Sequence, residues 1–280
     1  MRVNCRKVMK RYSQVRYWVE DLPKMGKSSF SIEETKEQFP EMPACNIKNT
    51  LFRLSKSGKI RSVWQGFYVI SLPEYGLSAV APPSEYIGHL MKYIGSQYYI
   101  GLLSAAALEG AAHQAPQVFQ VVCEKHLRDK MVSGIRLEMI EKKVIPGSYL
   151  VTKTVNSGII KVSSPELTAI DLLLYPQRAG GISHIATVLS ELAETTDFNR
   201  VAKDFFLGVP PAVLQRLGFI FDEVLEEKEI SGVLFDKIIA AGISFRKVPL
   251  VPNTGKKGKG IYPVSQKWKV EINYTVEPDI

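Results

Sequence analysis

The stretch ACNIKNTLFRLSKSGKIRSVWQGFYVI, Ala44 to Ile70, decides the reading of the N-terminal fold. Ile47, Leu51 and Leu54 recur at helical spacing and predict one apolar stripe facing a core. Asn46, Asn49, Arg53 and Lys56 fall on the opposite stripe. Gly58 is placed to end the helix in a left-handed turn, and the β-branched and aromatic segments on either side of Gln65-Gly66 predict a short hairpin. The expectation is a helix followed by a β-wing.

Upstream, Phe30 to Phe39 predicts a short helix with Ser31 as N-cap and Glu34 three residues later completing a capping box. Pro40 and Pro43 stop it and turn the chain. A first helix is expected within residues 1–22, where Val15, Trp18, Val19 and Leu22 repeat at helical spacing. Helix, turn, second helix and wing in that order make a winged helix-turn-helix whose second helix enters the major groove. On that placement Asn46, Asn49 and Arg53 face the bases, and Lys48 belongs to the same DNA-binding set. Lys56, Lys59 and Arg61 hold phosphates, and Gln65 sits in the wing. A solvated polar face, or a protein-contact module, is the plainer alternative for the same pattern.

The charge distribution favours a polyanion. Residues 1–70 carry 14 Lys/Arg against 6 Asp/Glu and residues 71–280 carry 22 against 22, so the whole excess of +8 sits in the first quarter. Arg2, Arg6, Lys7, Lys10, Arg11 and Arg16 add to it. A second basic stretch, with Lys256, Lys257 and Lys259, offers a secondary DNA contact. Its glycine-rich order departs from GxxxxGK[ST], so it is not a phosphate-binding P-loop.

At 280 residues and 45% hydrophobic content the chain is long enough for two domains with substantial cores. No apolar run approaches the roughly 18 residues that span a bilayer, and the basic N-terminus lacks the apolar centre of a signal peptide. A cytoplasmic protein with no membrane partner is expected. Cys5, Cys45 and Cys123 form no CxxC pair, and His89, His113, His126 and His184 are scattered. That spacing predicts no metal site, no cofactor and no catalytic residue.

Pro73, Gly76, Pro82 and Pro83 mark a boundary, giving a domain at residues 1–76 and another at 77–280. In the second, Ser84 is expected to cap a helix reaching Ile94, and Tyr98 to Gly110 to form a small-residue helix. Strands are expected at 117–123, 135–145, 149–155 and 159–162. A helix follows from Ser163-Ser164-Pro165-Glu166 to Tyr175, with Pro in its first turn and Glu166 reaching back to cap. Gly180 to Ala241 predicts three or four helices, and Ile243 to Val251 and Lys267 to Tyr274 two last strands. The fold class is α+β (mixed α/β), a winged helix-turn-helix followed by a larger mixed domain.

Leu51-Phe52-Arg53-Leu54, Gly58-Lys59-Ile60, Gly66-Phe67-Tyr68, the segment YYIGLLSAAALEG (98–110), SSPELTAIDLLLYP (163–176) and KWKVEINY (267–274) together resemble the AbiEi family. These are antitoxins of bacterial abortive-infection (phage-defence) systems, classed as type IV toxin–antitoxin. SPE followed by TxxDLL is the most specific motif. The resemblance implies a bifunctional protein. The N-terminal domain binds inverted repeats in the promoter of its own operon and represses it, and the rest counteracts an AbiEii-like nucleotidyltransferase toxin, with direct contact left open. A ligand-sensing winged-helix regulator and a DNA-processing enzyme remain as alternatives, told apart by a retained small molecule or by metal-dependent cleavage.

Overall fold

Short-range signals settle most of the N-terminal elements. The computed structural model describes residues 14–72, 80–110, 117–252 and 261–279. Helix α1 occupies residues 14–21 and runs into a 3-10 turn, Leu22–Met25, closed by Gly26 at φ +73°. Strand β1 (Ser29–Ser31) leads into α2 (Ile32–Gln38), whose start carries the predicted capping box. Ser31 Oγ accepts the Glu34 N–H at 3.1 Å, and the Ser31 N–H donates to Glu34 Oε2 at 2.7 Å. Helix α3 (Ala44–Lys56) follows, then β2 (Ile60–Trp64) and β3 (Phe67–Ile70). The strands form an antiparallel sheet in the order β1-β3-β2.

Both turns of this hairpin region need glycine. Gly58 has φ +74° and Gly66 φ +77°, and a Cβ on Gly66 would stand 2.5 Å from the Tyr93 hydroxyl. Ile47, Leu51 and Leu54 are buried as the spacing predicts, and Thr50 joins them. They share a core with Val15, Val19, Leu22, Phe30 and Ile60. Trp18 meets Phe30 and Phe39 edge-on, and Phe30 stacks on Tyr68 at 5.6 Å. Each such side chain contributes about 1.5–3 kcal/mol by leaving water.

The rest of the chain is mixed. Helix α4 (Ile87–Ile94) ends at Gly95, φ +67°. Next come β4 (Tyr98–Ile100), α5 (Leu102–Leu108), β5 (Val118–Cys123), β6 (Lys130–Val132), β7 (Ile135–Glu141), β8 (Leu150–Val155) and β9 (Gly158–Ser163). A six-stranded sheet has the order β6-β7-β5-β4-β9-β8, with β5 parallel to β7 and β4 parallel to β9. Helices α6 (Pro165–Leu174), α7 (Ile182–Leu192), α8 (Lys203–Leu207), α9 (Pro211–Phe219) and α10 (Lys228–Ala240) complete the helical part. By internal packing the described residues fall into two compact units. One draws on residues 14–72, 80–99, 117–145 and 152–161; the other on 100–110, 146–151, 162–252 and 261–279.

Four expectations are corrected. Ser84 lies in a 3-10 turn, Pro83–Glu85, and Tyr86 takes the N-cap position of α4. The segment 98–110 is not one helix: Tyr98–Ile100 is a strand, with Ile100 paired to Val162, and the helix begins only after Gly101. Pairing with a neighbouring strand overrides the local preference of a short apolar run. Helix α6 is capped by the Ser164 hydroxyl, which accepts the Leu167 N–H at 3.3 Å. Glu166 instead accepts the Asp197 N–H at 2.9 Å. The two C-terminal strands shrink to a parallel pair of two residues each, β10 (Val248–Pro249) and β11 (Val270–Glu271).

In the second unit, α6 is buried on nearly every side, from Glu166 to Leu173, as expected of a helix without a polar face. Helix α9 continues into a π-helical turn, Ile220–Val224. There the Asp222 carboxylate accepts the Trp268 indole N–H at 2.8 Å and pairs with Lys267 at 2.8 Å and Lys228 at 2.9 Å. Burial opposes ionisation of Asp222, but these three donors hold its carboxyl far below the usual range. Among the described residues no helix is long and apolar enough to cross a membrane.

Candidate nucleic-acid interface

Helix α3 has one buried and one solvent face, and the predicted residues divide between them as the helical period requires. Lys48, Asn49, Arg53 and Lys56 are exposed, and Asn46 is half-buried at the flank. The centre of the exposed face holds two residues outside the predicted set, Phe52 and Cys45. Phe52 is 66% exposed. A large aromatic ring standing in water between polar neighbours is unusual for a merely solvated face. Its position is legible in the sequence, since residues 45, 49, 52 and 56 follow one helical line, but polar side chains alone do not select it.

Beyond α3, the predicted cations separate. Arg61 is exposed on β2, and Gln65 is exposed at the hairpin turn, where its carbonyl accepts the Tyr93 hydroxyl at 3.1 Å. Lys59 is half-buried and ion-paired with Glu20, which also accepts Arg16 Nε at 2.9 Å. Hydrogen bonds from Lys59 and then Arg16 hold the Glu20 carboxyl below its ordinary value. A phosphate reaching Lys59 therefore has to replace a carboxylate already there. At the hairpin, the Lys130 ammonium lies 5.0 Å from the centre of the Trp64 ring, which adds a cation to the wing from a later strand.

Residues 253–260, with Lys256, Lys257 and Lys259, lie outside the described residues, as do Arg2, Arg6, Lys7, Lys10 and Arg11, Cys5, His113 and the boundary residues 73–79. The two described cysteines differ. Cys45 is exposed; Cys123 is buried, and that burial pushes its thiol up to about 11. Among the described residues no group of three or more His, Cys, Asp or Glu side chains could hold a metal ion.

The N-terminal elements have a polar junction with α4. Glu34 Oε2 faces His89 Nε2 at 3.1 Å, and His89 Nδ1 lies 3.0 Å from Ser29 Oγ. Burial works against the Glu34 charge, yet the hydrogen bonds from His89 and the Ser31 N–H, with the nearby Lys27, hold its carboxyl at about 2. Phe67 meets the His89 ring edge-on at 5.0 Å. The histidine thus ties α4 to β1, α2 and β3.

Comparison with known proteins gives likenesses of two kinds. Residues 99–223 match the family described as AbiEi antitoxin C-terminal domain. The RV2827C protein from Mycobacterium tuberculosis has a similar fold in its crystal structure: TM-score 0.65, 12% identity, 90% of this chain and 88% of that chain covered. No curated protein shows a significant sequence match.

Proposed function

Through residues 99–223 this chain belongs to the AbiEi antitoxin family, and we propose that it joins to its antitoxin role a DNA-binding, autorepressing one. The antitoxin role in a type IV toxin–antitoxin system follows from the family domain. The matched residues begin after the N-terminal helices and hairpin, so the DNA-binding half of the reading rests on those elements themselves.

One observation carries it: the exposed face of α3 presents Lys48, Asn49, Phe52, Arg53 and Lys56 together. We read α2, α3 and the β2–β3 hairpin as a winged helix-turn-helix with α3 in the major groove. Arginine suits the O6 and N7 acceptors of guanine, asparagine suits adenine, and an exposed phenyl ring suits a thymine methyl. Lys48, Lys56 and Arg61 lie where phosphates pass, and Lys59 joins them once Glu20 is displaced. The site on DNA is an inverted repeat in the protein's own promoter. The toxin it counteracts is a nucleotidyltransferase, and the protein works in the cytoplasm without a cofactor.

The labour divides at residues 76/77, with DNA recognition before and antitoxin activity after. Because the first compact unit draws strands from both sides of that point, the test uses full-length point variants. Arg53→Ala should cost about 1–3 kcal/mol on the true operator and relax discrimination at one base pair. Lys56→Ala should weaken operator and scrambled duplex alike and reduce the salt slope by roughly one. Both variants should still rescue cells from the cognate toxin. Equal small losses for Arg53→Ala on both duplexes would show that α3 does not read sequence. Loss of rescue by folded Arg53→Ala would overturn the division of labour.

A further inference from the structure

The first compact unit contains a cleft of about 800 Å³ lined by residues of β1, the start of α2, α4, β8 and β9. That volume falls in the range of roughly 300–1,000 Å³ typical of small-ligand sites. The class of ligand follows from which polar groups are already committed.

All three carboxylates in the lining are engaged. Glu34 accepts from the Ser31 N–H and faces His89. The oxygens of Glu85 accept the N–H groups of Asn156 at 3.4 Å and Ser157 at 2.9 Å, and Glu124 Oε2 accepts the Gln97 N–H at 3.3 Å. Of the three ammonium groups, two have no carboxylate partner among the described residues. Lys92 has no ion pair or side-chain hydrogen bond among the described residues; Lys161 reaches only Gln97 Oε1, at 3.5 Å, and Lys27 only Glu34, at 3.4 Å. The carboxylates keep their charge, so the lining is formally balanced; Lys92 and Lys161, which have no carboxylate partner among the described residues, are the donors open to an anion with several acceptor oxygens. It also has apolar wall: Ile159 is 68% exposed, with Val155 in the same lining. Bare phosphate would leave that wall and most of the volume unused.

We propose that this cleft binds a phosphorylated nucleoside, its phosphate on Lys92 and Lys161 with Lys27 at the edge, and its base against Ile159. The site is separate from the face of α3, and the inference does not depend on the DNA-binding reading.

Isothermal titration of the full-length protein with AMP, ATP, adenosine and inorganic pyrophosphate, at constant ionic strength, tests it. AMP and ATP should bind with Kd of about 1 mM or tighter, and adenosine at least about tenfold more weakly. Lys92→Ala/Lys161→Ala should weaken both nucleotides about tenfold or more. Lys92→Arg/Lys161→Arg, which keeps the charges, should retain binding, as should Lys143→Ala/Lys203→Ala, which removes two exposed lysines elsewhere. Absence of nucleotide binding, or an equal loss in both alanine pairs, would overturn the site. Equal affinity for pyrophosphate and ATP would overturn the nucleoside.

Discussion

Gly218→Ala is the sharpest test of the second unit's packing. A Cβ at this position would lie 2.1, 2.2 and 2.4 Å from Cζ3, Cη2 and Cε3 of Trp268. The indole is fully buried, so no flexible end can yield. To reach an ordinary carbon–carbon contact of about 3.5 Å the ring must retreat by more than about 1 Å. That movement breaks the 2.8 Å bond from the indole N–H to Asp222. Overpacking costs about 1–3 kcal/mol, and losing a hydrogen bond to a charged acceptor about 1.5–3 kcal/mol. Together they predict a loss of roughly 2.5–6 kcal/mol, read as a lower urea midpoint at unchanged m-value. Trp268→Phe removes the clashing outer ring atoms, so Gly218→Ala should cost clearly less in that background, a coupling a double-mutant cycle measures. A Gly218→Ala protein within about 0.5 kcal/mol of the parent would refute the account, since no backbone adjustment that small relieves three contacts at once.

Acid should loosen the junction between α2 and α4. The Glu34 carboxyl sits at about 2 in the folded chain against an ordinary 4.5, so its contribution is complete above about pH 4.5 and is lost as pH falls toward 2. Glu34→Gln should flatten that acid limb in urea titrations at pH 6 and pH 3, and an unchanged limb would assign the acid sensitivity elsewhere. Neighbouring residues on α3 should part company: Leu51→Ala should cost about 2–5 kcal/mol of stability. Phe52→Ala should stay within about 0.5 kcal/mol while weakening operator binding; a large stability loss at Phe52 would place it in a packed surface. Glu20→Gln weakens the hold on Lys59, so DNA affinity should rise and the salt slope steepen by up to roughly one. Falsification is a slope that does not move.

Determinants lying within a few residues were open to sequence reading. The spacing of Ile47, Leu51 and Leu54, the Ser31–Glu34 capping box, and the left-handed glycines at 58 and 66 are all present. The reason is that helical period, caps and turns are set by nearest neighbours along the chain. The mixed α/β class followed from the same signals. Tertiary contacts decided the rest, because they join residues whose separation in sequence carries no pattern. Tyr98–Ile100 is a strand because Ile100 finds Val162. Glu166 serves the backbone of Asp197 rather than its own helix. Lys59, a free cation by sequence, is held by a carboxylate 39 residues earlier. Gly218 is confined by a tryptophan 50 positions away, and which ammonium groups of the cleft lack a carboxylate partner emerges only when the partners of Glu34, Glu85 and Glu124 are known. Spacing determined which side chains each element offers; only the folded chain, by bringing distant groups within bonding distance, decided which of them remain free to act.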